Sequence, residues 1–209
     1  MENTAKTIAA HLLQIKAIKL QPANPFTWAS GWKSPIYCDN RKTLSHPETR
    51  TYIRDSFASV ISKKYPEADV IAGVATGAIA HGALVADVLK KPFVYVRSSA
   101  KDHGLGNRVE GEIHKGQKVV VVEDLISTGG SSIKAVEALR EINCEVLGMV
   151  AIFTYGFGTA TDNFEKALCE LTTLSNYNSL IELALEQQYI THGQLETLQN
   201  WRKSPQTWS

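Results

Sequence analysis

VVVVEDLISTGGSS, Val119 to Ser132, is the stretch whose reading decides the fold. Four consecutive β-branched residues form a strand with no polar face. Such a strand belongs in a parallel sheet covered by helices on both sides, because a surface strand of an antiparallel sheet alternates polar and apolar residues. Glu123 and Asp124 follow at once. Two adjacent carboxylates are costly to bury without partners, so they stand at the strand's last positions and call for hydrogen-bond donors, a diol or a metal. The hydroxyl- and glycine-rich run from Ser127 to Ser131 then turns into a helix. A turn of that kind offers free backbone N–H groups and the positive end of a helix dipole, which together make a phosphate site. Carboxylates repel phosphate, so the two halves fit one ligand with two ends: sugar hydroxyls at the acids and phosphate at the loop. The stretch contains neither GxxxxGK[ST] nor GxGxxG, which sets aside the P-loop and the dinucleotide fingerprint.

Reading outward from this stretch gives alternating strands and helices. Strands are expected at 69–74, 92–97, 117–124 and 145–153, and ELTTLS adds an edge strand. Helices are expected at 76–90 and 130–142, the second burying Ile133, Val136, Leu139 and Ile142. This is an α/β pattern with a mainly parallel sheet. Ahead of it, residues 4–20 read as one amphipathic helix with Ile8, Leu12 and Ile15 on a face. Residues 21–44, with Pro22, Pro25, Gly31 and Pro35 among aromatics, read as irregular chain or short antiparallel strands. Ser45-His46-Pro47-Glu48 resembles a capping box opening a helix to about 64. Ser179-x-x-Glu182 and Thr191-x-x-Gln194 read as capping boxes of two C-terminal helices that pack through Leu180, Leu183, Leu195, Leu198 and Trp201.

Bulk properties narrow the function. The 209 residues fit a single domain, 1–209. Within it, about 1–45 is an N-terminal segment, 65–160 the core that carries the signature stretch, 98–116 a loop and 175–209 the C-terminal helices. The net charge of +1 gives no general attraction to nucleic acid or to an anionic membrane. Cys38, Cys144 and Cys169 are widely spaced and odd in number, which argues against a disulfide framework and for a reducing compartment. The opening residues lack the apolar core of a signal peptide, and no apolar run approaches the ~18 residues of a membrane helix. The expectation is a cytoplasmic protein without a membrane or nucleic-acid partner. The segment 98–116, SSAKDHGLGNRVEGEIHKG, is too long and polar for a simple connection and reads as a mobile, functional lid carrying Lys101 and His103.

VVVVEDLISTGGSS resembles the signature of the type I phosphoribosyltransferases, which bind 5-phosphoribosyl 1-pyrophosphate (PRPP). Two further segments resemble the orotate-using members of that family: FTWASGWKSPIYCDNR at 26–41, with its SG..SP.Y core, and RSSAKDHG at 97–104 followed by Glu110-Gly111. The resemblance implies the type I phosphoribosyltransferase fold, with a small hood and a flexible catalytic loop. The implied reaction transfers the phosphoribosyl group from PRPP to orotate, a step of pyrimidine biosynthesis. It further implies Mg²⁺ held mainly by the substrate, with no protein metal ligands, and a homodimer that shares its lid across subunits.

Carried onto this chain, the resemblance gives Glu123 and Asp124 the ribose hydroxyls. Leu125, Ile126, Ser127, Thr128, Gly129, Gly130 and Ser131 belong to the loop that takes the 5-phosphate, and Ala75-Thr76-Gly77 to the pyrophosphate loop. Arg97, Lys101 and His103 meet the pyrophosphate. Lys101, His103 and Asp124 are the catalytic candidates, and Ser127, Tyr37 and Cys38 face orotate. The chain departs from the family pattern in three places. Ala29 stands where some members have lysine, Thr76-Gly77-Ala78 lacks a lysine, and TYGFG (154–158) lacks an arginine that some members carry. Orotate is a carboxylate, so Arg41 or Lys33 becomes a candidate for the missing cation. The SGWKSPIY segment and the KDHG lid favour orotate over a purine base as acceptor, and a nucleic-acid-binding regulator of the same fold would need an added DNA-binding element or a basic face.

Overall fold

A computed structural model describes residues 2–28, 31–97 and 108–208. Helix α1 (Glu2–Gln14) is shorter than the expected 4–20. Lys16 adopts φ +54°, which ends the helix, and β1 (Ile18–Leu20) follows. Ile18 and Leu20 point inward with the period of a strand, although their spacing from Ile15 also suits a helix. The short strands β2 (Phe26–Thr27) and β3 (Lys33–Ser34) pair with each other, and β4 (Ile36–Cys38) runs antiparallel to β1. These four strands make the hood. A 3-10 helix, Asn40–Ser45, is capped by the Asp39 carboxylate accepting from Arg41 N. It leads into α2 (Pro47–Lys64). The capping box expected at Ser45 does not form: Ser45 belongs to the 3-10 helix, His46 is the N-cap, and it makes no side-chain cap bond. Pro47 fills the first helical position, where its missing N–H costs nothing.

The core alternates strand and helix: β5 (Val70–Val74), α3 (Ile79–Leu89), β6 (Phe93–Val96), β7 (Val109–Glu110), β8 (Lys118–Ile126), α4 (Gly130–Glu141) and β9 (Glu145–Thr154). Then come α5 (Gly158–Lys166), β10 (Leu171–Asn176), α6 (Tyr177–Glu186) and α7 (His192–Lys203). The sheet order is β10-β9-β8-β5-β6-β7, parallel except where β7 runs antiparallel to β6. Two expectations change here. The segment 98–116 is not loop throughout, because Val109 and Glu110 return to pair with Val96 and Tyr95. The signature strand does not stop at Asp124 but runs on to Ile126, held by β9 through Ile126 and Thr154.

The four valines divide between two cores. Val120 and Val122 pack with Ile53, Phe57, Val85 and Leu180 on the face covered by α1, α2, α3 and α6. Val119 and Val121 pack with Val136, Leu139 and Phe164 under α4 and α5. All four are fully buried, each contributing about 1.5–3 kcal/mol relative to an exposed valine. Helix α5 has no counterpart in the sequence expectations, because GTATDNFEK is polar and buries only Ala160 and Phe164. The Thr191–Gln194 capping box forms as expected. The one at Ser179 does not: α6 starts at Tyr177, and Asn176 caps it by accepting from Ser179 N.

Candidate functional site

β8 overhangs its neighbour. Its last pair with β5 is Val122 with Gly73, and the strand then continues through Glu123 and Asp124. Adjacent strand residues point to opposite faces, so the two acids diverge. Glu123 turns toward α4, where its Oε2 accepts from Ser132 Oγ at 2.8 Å and its Oε1 from Asp124 N at 2.9 Å. Asp124 turns toward the β5–α3 connection, where a Cβ on Gly77 would collide with its carboxylate. Glycine at 77 therefore leaves room for the acid.

Both acids border one cavity of about 350 Å³, lined also by Cys38, Asp39, Arg41, Ala75–Gly77, Leu125 and Ser131. Glu123 is 4% exposed. Burial first, then the charge of Asp124, pushes its carboxyl well above the usual carboxylate range. Its two hydrogen bonds oppose that shift only in part. Across the cavity, Arg41 Nε donates to Asp39 Oδ1 at 2.7 Å and holds that carboxyl below its ordinary value. Burial, with the charges of Asp124 and Asp39, raises the Cys38 thiol. Cys38 is thus a protonated packing group rather than a nucleophile.

Residues 127–129 join β8 to α4. Gly129, the N-cap of α4, sits at φ +81°, with Phe164 2.9 Å from where a Cβ would lie. That conformation and that contact both favour glycine. Among the described residues no side chain caps α4 and no acid of its own sequence occupies its first turn, where the Glu123 carboxyl accepts from Ser132 Oγ. Asn163 of α5 donates to Thr128 O at 2.8 Å and fixes the loop from behind.

The other sequence candidates fall in several places. Leu125 is partly buried, whereas Ile126 is fully buried and its carbonyl accepts from Tyr155 N and Thr154 Oγ1, so its side chain belongs to the core. Thr128 borders a neighbouring cavity of about 370 Å³ with Trp32, Phe157 and Arg202. Tyr37 is 41% exposed and rests against Phe26, and it does not line the acid cavity with Cys38. Arg97 stands at the end of β6, with Nη1 3.4 Å from Glu110 Oε1. Lys101 and His103 lie outside the described residues. Of the two cations named for the missing arginine, Arg41 lines the acid cavity, while Lys33 Nζ donates to Thr27 Oγ1. The cation at TYGFG is instead Arg202 of α7, whose Nη1 donates to Gly156 O at 3.4 Å. Ser132, Asn163 and Arg202 were not singled out in the sequence. Ser132 was within reach, being one residue past the loop, but the other two are remote from their partners.

Comparison with known proteins agrees with this geometry. The Phosphoribosyl transferase domain family matches residues 44–187. The orotate phosphoribosyltransferase of Porphyromonas gingivalis is 62% identical over 208 residues, covering 100% of this chain and 99% of that protein. Its counterpart in Listeria monocytogenes serotype 4b is 56% identical over 203 residues, covering 97% of each. Among solved structures, the orotate phosphoribosyltransferase of Aeropyrum pernix superposes with a TM-score of 0.76 at 28% identity, covering 88% of this chain and 99% of that one. The UMP synthase of Leishmania donovani gives 0.80 at 25% identity, covering 95% of this chain and 42% of that longer one. A type I fold, a signature loop in its expected place and full-length identity at this level lead to one assignment: the chain belongs to the orotate phosphoribosyltransferase family.

Proposed function

We propose that the acid cavity and the α4 loop hold the two ends of PRPP, and that the chain transfers its 5-phosphoribosyl group to orotate. The products are orotidine 5′-monophosphate and pyrophosphate. The observation that carries this reading is the pairing of opposites: an acid pair that seeks hydroxyls borders the same cavity as Ser131, at the start of a helix with no cap. Asp124 and Glu123 accept from the ribose hydroxyls. Ser127 to Ser131 take the 5-phosphate through backbone N–H and hydroxyl groups, with Leu125 and Ile126 contributing through their backbone. Ala75 to Gly77 and Arg97 face the pyrophosphate, together with Lys101 and His103 of the lid. Ser127, Cys38 and Tyr37 make the orotate side.

In the reaction, a ring nitrogen of orotate bonds to the anomeric carbon as the bond from that carbon to the pyrophosphate oxygen breaks; the leaving oxygen keeps the bonding pair, and the nitrogen's proton passes to pyrophosphate or solvent. Positive charge develops on the ribose and negative charge on the leaving group. No side chain needs to form a bond, so catalysis rests on positioning and electrostatic stabilisation. A cationic lid stabilises the leaving group and keeps out water that would hydrolyse PRPP. Mg²⁺ supplies neutralisation of the pyrophosphate oxygens when it enters with the substrate. Among the described residues no group of three or more Asp, Glu, His or Cys side chains converges as a metal site, while Asp124 offers the hard oxygen that this ion prefers.

Association into a homodimer is supported by the outer face of α3. Ala83 is exposed, Val88 is 39% exposed, and Ile79 and Leu84 are only partly buried, an apolar stripe of the kind that association covers. A cytoplasmic location accords with the free cysteines Cys38, Cys144 and Cys169. No described helix is long and apolar enough to cross a membrane.

The reading is tested by following orotate absorbance with PRPP and Mg²⁺, with hypoxanthine and adenine as alternative acceptors. Orotate loss without purine conversion is expected, and purine conversion would overturn the acceptor assignment. Mixing Lys101→Ala with Asp124→Asn protein tests the shared lid, because one of the hybrid sites then carries neither substitution. No recovery of activity after demonstrated subunit exchange would rule sharing out.

A further inference from the structure

We propose that Asn40 is a positioning residue for the acid pair, one that keys the hood to the backbone of Asp124. The inference rests on the PRPP reading of the cavity and deepens it. Among the described residues, β8 has no strand partner on its β5 side beyond Val122. A strand that outruns its neighbour leaves carbonyls without ladder bonds, and such groups need another donor when buried. At Asp124 that donor is Asn40, whose Nδ2 lies 2.6 Å from the Asp124 carbonyl oxygen, 84 residues away in sequence.

Asn40 is itself held on every side. It is 1% exposed. Its Oδ1 accepts from Cys38 Sγ at 3.3 Å, which fixes the amide with its NH₂ toward β8. Its carbonyl accepts from Thr43 Oγ1 at 2.6 Å. Thr43 has one hydroxyl proton, and that bond uses it. The 3.1 Å contact between Thr43 Oγ1 and His81 Nε2 therefore has the histidine as donor. His81 is on α3, directly after the connection that Gly77 opens for Asp124. One asparagine thus joins the base-side strand at Cys38, the 3-10 helix, α3 and the sugar-binding end of β8. Hood and core meet there with the precision that a two-ended ligand demands, since a shift of the Asp124 peptide re-aims its carboxylate.

Removing the amide takes the side-chain donor from the part-buried Asp124 carbonyl and frees the Asp124 peptide. The test compares PRPP binding with inorganic phosphate binding by calorimetry or NMR titration of the full chain. PRPP needs the acids and the loop, whereas phosphate needs only the loop. Asn40→Ala is expected to raise the Kd for PRPP by roughly 10-fold or more, a hydrogen bond's worth, while the Kd for phosphate stays within about 2-fold of wild type. Asn40→Asp, nearly isosteric but with an acceptor facing the carbonyl, is expected to lose at least as much and serves if the alanine variant folds poorly. Equal weakening of PRPP and phosphate, or a lowered Tm with PRPP binding unchanged, would overturn the inference. Wild-type protein that fails to bind PRPP would overturn the reading of the cavity, and with it this inference. Wild-type binding matched by both variants overturns the inference alone.

Discussion

Glu123 and Asp124 are neighbours with different surroundings, and the difference sets what each can do. Asp124 reaches the cavity past Gly77 and is partly exposed, whereas Glu123 is buried with both oxygens engaged. Asp124→Asn is therefore expected to cost the more in catalysis. Loss of one charge-assisted hydrogen bond is worth about 1.5–3 kcal/mol, so kcat/KM for PRPP should fall roughly 10- to 100-fold, and steady-state kinetics read this directly. Glu123→Gln should show a different signature. Burial raises this carboxyl in the folded protein, so the group favours folding below its unfolded pKa and that contribution is lost as pH rises through the folded value. A glutamine escapes the loss: its Oε1 can keep the Asp124 N–H and its amide can donate to Ser132 Oγ. The variant should melt higher than wild type at pH 8, by about 2–4 °C for each kcal/mol regained, with a smaller difference at pH 5. Equal melting temperatures at pH 8 would refute it. His81 works in the opposite sense. Burial lowers its pKa, so its contribution is present above the ordinary histidine value and fades as pH falls through the folded one.

The elements that carry the site are two strand ends, each followed by a turn into a helix. At the second, Gly129 combines a left-handed backbone with the ring of Phe164. Gly129→Ala is expected to cost about 1–2 kcal/mol from the backbone conformation and more from the clash. It should also weaken phosphate binding, because the first turn of α4 must shift; a titration with inorganic phosphate checks it. This junction was legible from sequence, because the valines, the acids and the glycines are all local signals. So were the parallel core and the cap at Thr191. The end of α1 was not, since Ile18 and Leu20 satisfy helical and strand periods alike. Nor was β7: Val109 and Glu110 have no strand pattern of their own and are strand only because β6 lies beside them. Helix α5 hid for a related reason, its two buried residues being too few to mark a face. At the site, residue types could be read wherever the motif is contiguous. Asn40 and Arg202 could not, because what makes them relevant is a contact across the fold.

At the scale of the molecule, the hood is clasped by α7. Trp201 of α7 is fully buried, packs against Trp28, Tyr155, Phe157 and Tyr177, and donates from Nε1 to Lys33 O at 3.2 Å. Trp201→Ala should destabilise the protein by about 3–5 kcal/mol, read by denaturant unfolding. Because Trp28 and Lys33 belong to the hood, KM for orotate is expected to rise in the protein that remains folded. An unchanged KM would separate α7 from the acceptor side.

That clasp also sets an order of events during synthesis. The chain leaves the ribosome N-terminus first, so β5 through β9 are out before α7 is made. The hood cannot close in the same way, because the indole that locks it belongs to α7 and is made only after α5, β10 and α6. A nascent chain that has not yet delivered α7 therefore lacks the indole that closes its hood, and hood closure waits on the emergence of Trp201.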